Sequence, residues 1–329
     1  DFTINAIAFD LSSGTLHDPH GGCHDLSARR LRTVGSARDR FNEDGLRLFR
    51  GCRLVAELGL TVDQQTVQAM QASLSTAHLV ASERICEELR RLLSARTPSA
   101  GLHLLDRSGL TKLCFGEPAA MDPPNHTNEK TILDRYRHID EVSADVVRRL
   151  AMLMTSFAIA NSDTASSADQ TRAVLRRLRF PNSVVARVTK AINSLAFPLT
   201  SQSSDANIRK LLSFIGRSAA EDAIAVRKII EIIDDQLAER VRAQAEATYP
   251  LSVQELLVDG KTLQKELRLK PGPVIGRLLN ALLQEVLEEP RANHRSRLLD
   301  SASALLQLAP ADWPDSDSIE LESPSANSE

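Results

Sequence analysis

Aromatic residues and long apolar runs are scarce in this sequence. Phe, Trp and Tyr together make up 4% of its 329 residues, although 42% of the residues are hydrophobic. The apolar content therefore comes from residues that favour helices rather than from the aromatic residues that favour strands. With 25% charged residues, the composition is that of a globular protein long enough for two or three domains. We expect a mainly helical protein.

Cysteines are few and scattered. Cys23, Cys52, Cys86 and Cys114 show no CxxC spacing, and the sequence has neither a signal peptide nor an apolar run long enough to cross a bilayer. These absences predict reduced thiols in a cytoplasmic protein without a membrane partner.

An excess of positive charge is also lacking. The formal net charge is −3, so RNA binding would require local basic surfaces. Arginine outnumbers lysine 32 to 8, which we attribute to coding bias rather than to selection for phosphate-binding side chains. Beyond Pro310 no basic residue occurs, and this composition predicts a disordered acidic tail over residues 309–329.

The sequence opens in an alternating apolar pattern, from Phe2 to Phe9, that predicts a strand. A turn at residues 12–14, a short strand, a loop at residues 18–22 and a last strand near residues 31–34 follow. Because two or three strands cannot bury a core, we expect them to be the edge of a sheet whose remainder lies upstream of this sequence.

Helical patterns begin at Asn42, the candidate N-cap of a helix that continues to Leu58 and that Gly59 ends. A second amphipathic helix starts after Ser82. Further helices are predicted over residues 128–160, 168–180, 183–195, 206–216 and 218–247, and Pro271-Gly272-Pro273 starts one more, which Pro290 ends.

Three motifs occur in a fixed order within the first 47 residues: Asp1-Phe2-Thr3-Ile4-Asn5-Ala6, Asp18-x-x-Gly21-Gly22-x-x-Asp25-Leu26 and Glu43-Asp44-x-x-Arg47. They resemble the RRDFTxNA, DxxGGxxDL and EDxxR motifs of class II CCA-adding enzymes and bacterial poly(A) polymerases. Ser82-Glu83-Arg84-Ile85 with Glu88-Leu89 resembles the neck helix of this family, and Gly260-x-x-Leu263 with Pro271-Gly272-Pro273-x-x-Gly276 resembles its C-terminal tail. An ordered set of motifs is far more specific than one short pattern.

The resemblance implies a mainly α fold with the remnant of a small antiparallel nucleotidyltransferase sheet at the N-terminus. Residues 1–36 would be the end of the head domain, residues 37–120 a helical neck that selects the nucleotide, residues 121–200 a helical body and residues 201–308 a helical tail that binds tRNA.

Asp44 and Arg47 lie three residues apart, so on a helix they would share a face. A carboxylate acceptor beside a guanidinium donor is what reading the Watson–Crick edge of a base requires. The family assigns these positions to the selection of CTP and ATP, and the alternative is an ordinary surface ion pair. Gly45 stands where the family usually has Pro, which predicts a looser helix start.

Further residues near these motifs are candidates for nucleotide binding. By resemblance Asp1 contacts the ribose, and Arg50 and Arg53 are the best candidates in an arginine-rich stretch to hold the triphosphate or the RNA 3′ end.

The segment that contains Asp18, Gly21, Gly22 and Asp25 resembles the flexible loop of the family, in which glycines permit a hinge. A Gly-Gly hairpin turn would explain the same residues equally well.

A possible RNA-binding stripe lies in the helical half. Arg172, Arg176 and Arg179 follow helical spacing and could face the tRNA acceptor arm. A solvated helix face explains the pattern at least as well.

Catalytic metal ligands are not expected in this sequence. Nucleotidyl transfer uses two metal ions, usually Mg²⁺, and the family holds them with a DxD motif upstream of the region matched here. The motif Asp315-Ser316-Asp317 lies in the acidic tail without the glycines or apolar strand that a metal site would need. We therefore expect Mg²⁺ only in the complete enzyme, and these residues alone to be inactive.

The function implied is addition of CMP and AMP from CTP and ATP to the tRNA 3′ end, with release of pyrophosphate. Poly(A) addition is an alternative. A non-catalytic RNA-binding relic, or one half of a split enzyme with a separate N-terminal polypeptide, is another, and a plain helical scaffold would bind no triphosphate.

Overall fold

The structure is a computed structural model that describes residues 1–116, 136, 138–158, 164–229, 233–308 and 313. The first part of the helix predicted over residues 128–160, and nearly all of the predicted acidic tail with its DxD motif, lie outside the described residues. The chain divides into two compact units, Asp1–Asn193 and Ser194–Glu329. The division into head, neck, body and tail stays a prediction.

A short antiparallel hairpin lies near the N-terminus. Strands β1 (Ala8–Asp10) and β2 (Thr15–His17) pair with Phe9 opposite Leu16. The Asp10 carboxylate closes the turn by accepting hydrogen bonds from the Ser12 N–H at 2.8 Å and from the Ser12 and Ser13 hydroxyls. The predicted antiparallel pair and its turn are confirmed.

Two parts of the N-terminal prediction are wrong. Thr3–Asn5 forms a 3-10 turn rather than a strand, and Phe2 makes only an isolated antiparallel bridge with Thr33. The predicted loop after residue 18 leads into helix α1 (Gly22–Ser27). Periodicity gave no sign of α1, because its start depends on the Asp18 carboxylate, which accepts hydrogen bonds from the Gly22 and Cys23 N–H groups.

The helix predicted from Asn42 is two helices, α2 (Ala37–Glu43) and α3 (Leu46–Leu58). Ser36 caps α2 by accepting a hydrogen bond from the Asp39 N–H, so Asn42 is not an N-cap. Between the helices Asp44 is extended, with φ −149° and ψ 108°. As predicted, Gly59 ends α3, and it does so in the left-handed conformation with φ 62°.

Eight further helices lie in the described part of the first unit, on both sides of the undescribed segment. The first six are α4 (Gln64–Ala72), α5 (Leu74–Ala77), α6 (Ser82–Ser94), α7 (Pro98–Arg107), α8 (Leu110–Phe115) and, after the gap, α9 (Val146–Ala158). Helices α10 (Thr164–Arg177) and α11 (Asn182–Asn193) end the unit. The helix predicted after Ser82 is confirmed.

Helix α3 packs against both α6 and α7. Leu48, Phe49 and Cys52 on α3 are almost fully buried. The approach of α7 is close at Gly101, where a Cβ atom would lie 2.6 Å from the Cys52 carbonyl oxygen and 2.8 Å from the Ala56 Cβ. Only a glycine fits this helix contact.

Arg149 fastens α9 to the end of α6. Its Nη1 donates to the carbonyl oxygens of Leu93 and Ala95, each at 2.7 Å, and its Nη2 donates to the Val142 carbonyl oxygen at 2.9 Å. Burial lowers the pKa of this guanidinium. The side chain thus satisfies carbonyls that the end of a helix leaves without partners.

The second unit is helical throughout its described part. Its helices are α12 (Asp205–Ile215), α13 (Ala220–Ile229), α14 (Asp235–Glu246), α15 (Gly260–Glu266), α16 (Pro273–Glu288) and α17 (Arg295–Leu305). The helix predicted over residues 218–247 is two helices, because the Asp234 carboxylate accepts a hydrogen bond from the Leu237 N–H at 2.7 Å and caps a new one.

Helix α16 starts after Gly272 and stops before Pro290, as its flanking residues predict. Leu278, Leu282 and Val286 of its predicted apolar face are fully buried, but Val274 is exposed. Arg209 caps its end by donating to the Leu287 carbonyl oxygen at 2.7 Å. No helix in the described part of the chain is long and apolar enough to span a membrane.

Substitution of Gly101 tests the close contact of α3 with α7. We expect Gly101→Ala to lower the free energy of unfolding by about 1–3 kcal/mol, because the added methyl group overpacks the contact. The matched control is Gly276→Ala in α16, where a Cβ meets no atom within 4 Å. This control should instead gain about 0.5–1 kcal/mol from helix propensity.

Urea unfolding of both variants, followed by circular dichroism, measures these differences. If Gly101→Ala were as stable as the wild type, α3 and α7 could not be in close contact at this position.

Candidate functional site

Asp44 and Arg47 lie at the junction of α2 and α3, but they do not share a helix face. Asp44 precedes α3, and its Oδ1 accepts a hydrogen bond from the Leu46 N–H at 3.0 Å. Its Oδ2 lies 3.5 Å from Nη2 of Arg84 on α6. The helical geometry predicted for this pair is therefore wrong, because the chain is extended at Asp44.

Arg47 is held from the α2 side of the junction. Its Nη1 donates to Glu43 Oε2 at 2.6 Å and to the Arg40 carbonyl oxygen at 2.7 Å. Arg40 also pairs with Glu43. The hydrogen bond from Arg47 and the charge of Arg40 lower the pKa of Glu43, which keeps this carboxylate ionised. The alternative of an Asp44–Arg47 ion pair is wrong, since within the described residues Asp44 pairs with Arg84 and Arg47 with Glu43.

Gly45 lies between the two helices and is buried. A Cβ at this position would lie 2.3 Å from the Thr76 carbonyl oxygen. The glycine thus allows the junction to pack against the end of α5, which is a reason for Gly45 that its weak helix propensity did not suggest.

A series of side chains with alternating charge runs from Asp1 along α3 and α6. Arg50 Nη1 lies 2.5 Å from Asp1 Oδ2, and Arg50 Nε lies 3.8 Å from Glu88 Oε1. Arg53 Nη1 lies 2.9 Å from Glu88 Oε2, and its Nε lies 3.3 Å from Glu57 Oε2. Glu88 on α6 therefore lies close to two arginines of α3, Arg50 and Arg53.

Arg50 and Arg53 differ in how deeply they are buried. Arg53 is 7% exposed, whereas a third of the Arg50 side chain is exposed. A triphosphate could reach Arg53 only by breaking its pair with Glu88, and the phosphate contact of Arg53 stays a prediction. Burial raises the pKa of Glu88, against the opposing charges of Arg53 and Arg50.

Asp1 lies near Arg40, Arg47 and Arg50, whose charges act on its backbone nitrogen. Its carboxylate pairs with Arg50. Asp1, Arg50 and the α2–α3 junction thus form one surface, which we call the junction site. Arg84, Glu43 and Glu88 were not among the predicted site residues. Glu43 could have been found from its spacing of four residues to Arg47, but no local signal places Arg84 near Asp44.

The segment from Asp18 to Asp25 is a capped helix start. Asp18 Oδ1 accepts a hydrogen bond from the Gly22 N–H at 2.6 Å, and Oδ2 accepts one from the Cys23 N–H at 2.8 Å. Gly21 has a φ of 72°, as the glycine-rich motif predicted, but the alternative of a Gly-Gly hairpin turn is wrong. Whether this segment moves stays a prediction.

Asp25 is fully buried and links three segments. It accepts hydrogen bonds from the Thr3 hydroxyl at 2.7 Å, Arg30 Nη2 at 2.8 Å and Arg32 Nε at 2.8 Å. Burial alone would raise its pKa, but the hydrogen bonds from Thr3, Arg30 and Arg32 outweigh burial and hold the pKa well below its usual range. The carboxylate is thus structural.

The predicted arginine stripe is only partly formed. Arg172 and Arg176 lie on α10, which ends at Arg177. Arg179 lies beyond this end in the left-handed conformation with φ 62°, and its Nε is 3.5 Å from Glu83 Oε1. Arg179 therefore does not extend the stripe.

Neither a metal site nor a disulfide is found in the described part of the chain. No group of three or more His, Cys, Asp or Glu residues there could hold a metal ion. All four cysteines are free, as predicted.

Comparison with family models gives the class of the protein. Residues 1–32 match the "Poly A polymerase head domain", residues 59–121 the "Probable RNA and SrmB- binding site of polymerase A" and residues 157–302 the "tRNA nucleotidyltransferase domain 2 putative". The fold and these three matches define a nucleotidyltransferase.

Comparison with curated proteins gives the family. The chain is 30% identical over 308 residues to the CCA-adding enzyme of Lactiplantibacillus plantarum, across 92% of this chain and 69% of that enzyme. It is 29% identical over 302 residues to the CCA-adding enzyme of a Geobacillus species, across 91% of this chain and 69% of the relative. The chain belongs to the CCA-adding enzyme family, which confirms the resemblance found in its motifs.

Solved structures agree. The chain is similar to the Bacillus stearothermophilus CCA-adding enzyme in complex with CTP, with a TM-score of 0.72 and 26% identity over 93% of this chain and 73% of that one. A CCA-adding enzyme in complex with ATP shares the fold with a TM-score of 0.62 at 17% identity, across 93% of this chain and 71% of that one.

Substitution of Asp25 by Asn tests its structural role. We expect Asp25→Asn to lower the free energy of unfolding at pH 7 by about 2 kcal/mol, because two arginines lose a buried charged acceptor. Since the folded state depresses the pKa of Asp25, its contribution is present above the unfolded value of about 4 and is lost as the pH falls.

Urea unfolding at pH 7, 5 and 3 measures the free energy of unfolding of the wild type and of Asp25→Asn. The advantage of the wild type should shrink between pH 5 and pH 3. A difference that stays constant over this range would show that the charge of Asp25 does not stabilise the fold.

Proposed function

We propose that the junction site selects CTP and ATP, and that the complete enzyme transfers CMP and AMP from them to the 3′ end of tRNA with release of pyrophosphate. The observation that carries this proposal is the placement of Asp44 and Arg47 on one partly exposed junction beside Asp1 and Arg50, in a chain of the CCA-adding enzyme family.

The chemistry of the bases explains how two side chains accept C and A but reject G and U. On their Watson–Crick edges, cytosine and adenine each present an amino group next to an unprotonated ring nitrogen. A carboxylate accepts from the amino group, and a guanidinium donates to the ring nitrogen. Guanine and uracil present a carbonyl oxygen and a ring N–H at the same positions, so both interactions are lost.

Asp44 suits the acceptor role. The Leu46 N–H fixes one of its oxygens, while the other makes only a long contact of 3.5 Å with Arg84. Arg84 is more than half exposed, so a base can displace it at low energetic cost.

Arg47 suits the donor role. Its hydrogen bonds to Glu43 and Arg40 use Nη1, and a guanidinium has five N–H groups. Because Glu43 fixes the guanidinium, less side-chain entropy is lost when a base binds.

The Asp1–Arg50 pair is the part of the junction site that would receive the sugar and phosphates. Arg50 is partly exposed and would place its charge near the triphosphate, while Asp1 would accept a ribose hydroxyl. Arg53 and Glu88 are positioning residues, since they hold Arg50 from the buried side.

Several more detailed expectations about this function stay predictions. Mg²⁺ is expected to support transfer in the complete enzyme, but the described residues hold no metal cluster, so no step is assigned to it here. Inactivity of these residues alone and a separate N-terminal polypeptide also stay predictions. We place the protein in the cytoplasm with its tRNA and nucleotide substrates. Poly(A) addition is the second candidate, because two matched models describe poly(A) polymerases.

Calorimetric titration of the chain with each of the four ribonucleoside triphosphates tests the selection. We expect CTP and ATP to bind more tightly than GTP and UTP by about 1–3 kcal/mol. Asp44→Ala and Arg47→Ala should each remove this preference, and Arg47→Lys should not restore it, because lysine lacks the planar fork.

Arg90→Ala is the control, because Arg90 is an exposed arginine on α6 that pairs with Glu87 away from the junction site. It should keep the preference. The proposal fails if no triphosphate binds, or if Asp44→Ala and Arg47→Ala discriminate as the wild type does.

A further inference from the structure

An exposed cluster of positive charge lies where α15 leads into α16, in the second unit. Residues 260–277 contain five cationic side chains and one carboxylate, Glu266. The five cationic side chains are all exposed. They make up what we call the basic surface: Lys261, Lys265, Arg268, Lys270 and Arg277.

The two acidic residues nearest to the basic surface along the sequence have partners of their own. Glu266 lies 2.8 Å from Arg295 of α17. Asp259 caps α15 by accepting hydrogen bonds from the Thr262 N–H at 2.8 Å and from the Thr262 hydroxyl at 2.7 Å. These two carboxylates therefore offset only part of the five positive charges.

Trp313 is anchored beside the basic surface. It is the single tryptophan of the sequence, and it is 6% exposed within the apolar core of the second unit. The Arg277 guanidinium lies 5.4 Å from the centroid of its ring, which is a cation–π contact. The anchor thus fixes the point from which residues 314–329 start, although these residues lie outside the described part of the chain.

The sequence that follows the anchor has the opposite charge. Residues 314–322, which we call the acidic segment, contain no basic residue and four carboxylates. These carboxylates belong to Asp315, Asp317, Glu320 and Glu322. Runs of like charge near a chain terminus often act as interaction tails.

The acidic segment is long enough to reach the basic surface. Nine residues can extend by up to about 30 Å. Arg277 touches the anchor, and Lys270 precedes Arg277 by seven residues, which span at most about 25 Å. The basic surface thus begins at the anchor and continues within the reach of the segment.

We propose that the acidic segment is the occupant of the basic surface, where charge and the anchor at Trp313 hold it. The short connection makes the encounter intramolecular, so the local concentration of carboxylates is high. Opposite charges attract one another over a Debye length of about 8–10 Å at physiological salt, so no fixed conformation of the segment is required.

This occupancy gives the acidic segment a function as an internal competitor. Exposed cationic surfaces attract polyanions without regard to their identity. A segment that covers five positive charges lowers the affinity of the second unit for such polyanions. The inference concerns a different surface from the junction site and does not depend on nucleotide selection.

Zero-length cross-linking with a carbodiimide tests the occupant directly, because this reagent joins a carboxylate to a lysine amine only where the two are in contact. Mass spectrometry of the full chain then identifies the joined pairs. We expect the acidic segment to be joined mainly to Lys261, Lys265 and Lys270. Lys112 and Lys190, which are exposed lysines of the first unit, are the controls. At about 1 M salt, where the Debye length is about 3 Å, the cross-links should decrease.

Neutralisation of the acidic segment tests its competition with a polyanion, for which heparin is the probe. The neutral variant keeps the anchor and carries Asp315→Asn, Asp317→Asn, Glu320→Gln and Glu322→Gln. We expect it to bind heparin severalfold more tightly than the wild type at low salt. The two affinities should converge as the salt concentration rises.

A double-mutant cycle separates this competition from the change in net charge, which by itself would strengthen heparin binding. In a chain with Lys265→Gln and Lys270→Gln, neutralisation of the acidic segment should have a smaller effect than in the wild type. The matched control chain carries Lys112→Gln and Lys190→Gln. It has the same net charge and should preserve the full effect.

Fluorescence of Trp313 reports on the anchor, because the sequence has no other tryptophan. We expect the short emission wavelength of a buried indole and little quenching by iodide. Trp313→Phe should preserve the cross-links to the basic surface, since phenylalanine also fills an apolar site and offers an aromatic face to Arg277. Trp313→Ala should reduce them, although it keeps all four carboxylates.

Three outcomes would overturn the inference. They are cross-links to lysines throughout the chain without preference, an equal effect of neutralisation in both lysine backgrounds, and emission of Trp313 at the wavelength of an exposed indole. Binding of CTP and ATP to the neutral variant reports on the junction site instead and should stay at the wild-type level. Failure of nucleotide selection would therefore leave the result on the acidic segment unchanged.

Discussion

The packing of α3 against α6 depends on a buried carboxylate that two arginines share. Glu88 on α6 is 7% exposed and binds Arg53 directly, while Arg50 lies within Coulomb range and pairs with Asp1. A buried carboxylate without partners would cost several kcal/mol, so α3 must keep both arginines turned toward α6. This constraint orients the N-terminal segment relative to α3 and α6. It also leaves Arg50 more accessible than Arg53.

Much of this architecture could be predicted from the sequence. Periodicity and capping residues correctly indicated the end of α3 at Gly59, the helix after Ser82 and the helix between Pro273 and Pro290, and the first motifs led to Asp44 and Arg47. In these cases the signal is local, because the residues that determine an element lie within a turn of it.

The errors share a physical cause, which is competition between local hydrogen bonds and periodicity. Ser36 and Asp44 divide a continuous apolar pattern into two helices, and Asp18 converts a Gly-Gly turn into a helix start. Arg179 leaves its stripe because the chain turns left-handed there. The contact between Asp44 and Arg84 joins residues forty positions apart and has no sequence signal at all. The motifs thus led to these candidate residues, but their geometry required the structure.

Helix α6 has contacts of consequence at both ends. Its first turn carries Arg84, which touches Asp44, and the carbonyls at its end accept hydrogen bonds from Arg149 of α9. Thirteen helical residues form a rod of about 20 Å that is stiff compared with the loops around it. Arg84, which neighbours Asp44, and the helix that follows the undescribed segment are therefore attached to the same helix. A movement of α6 at the Arg84 end would therefore also move the carbonyl groups that hold Arg149 at the other end.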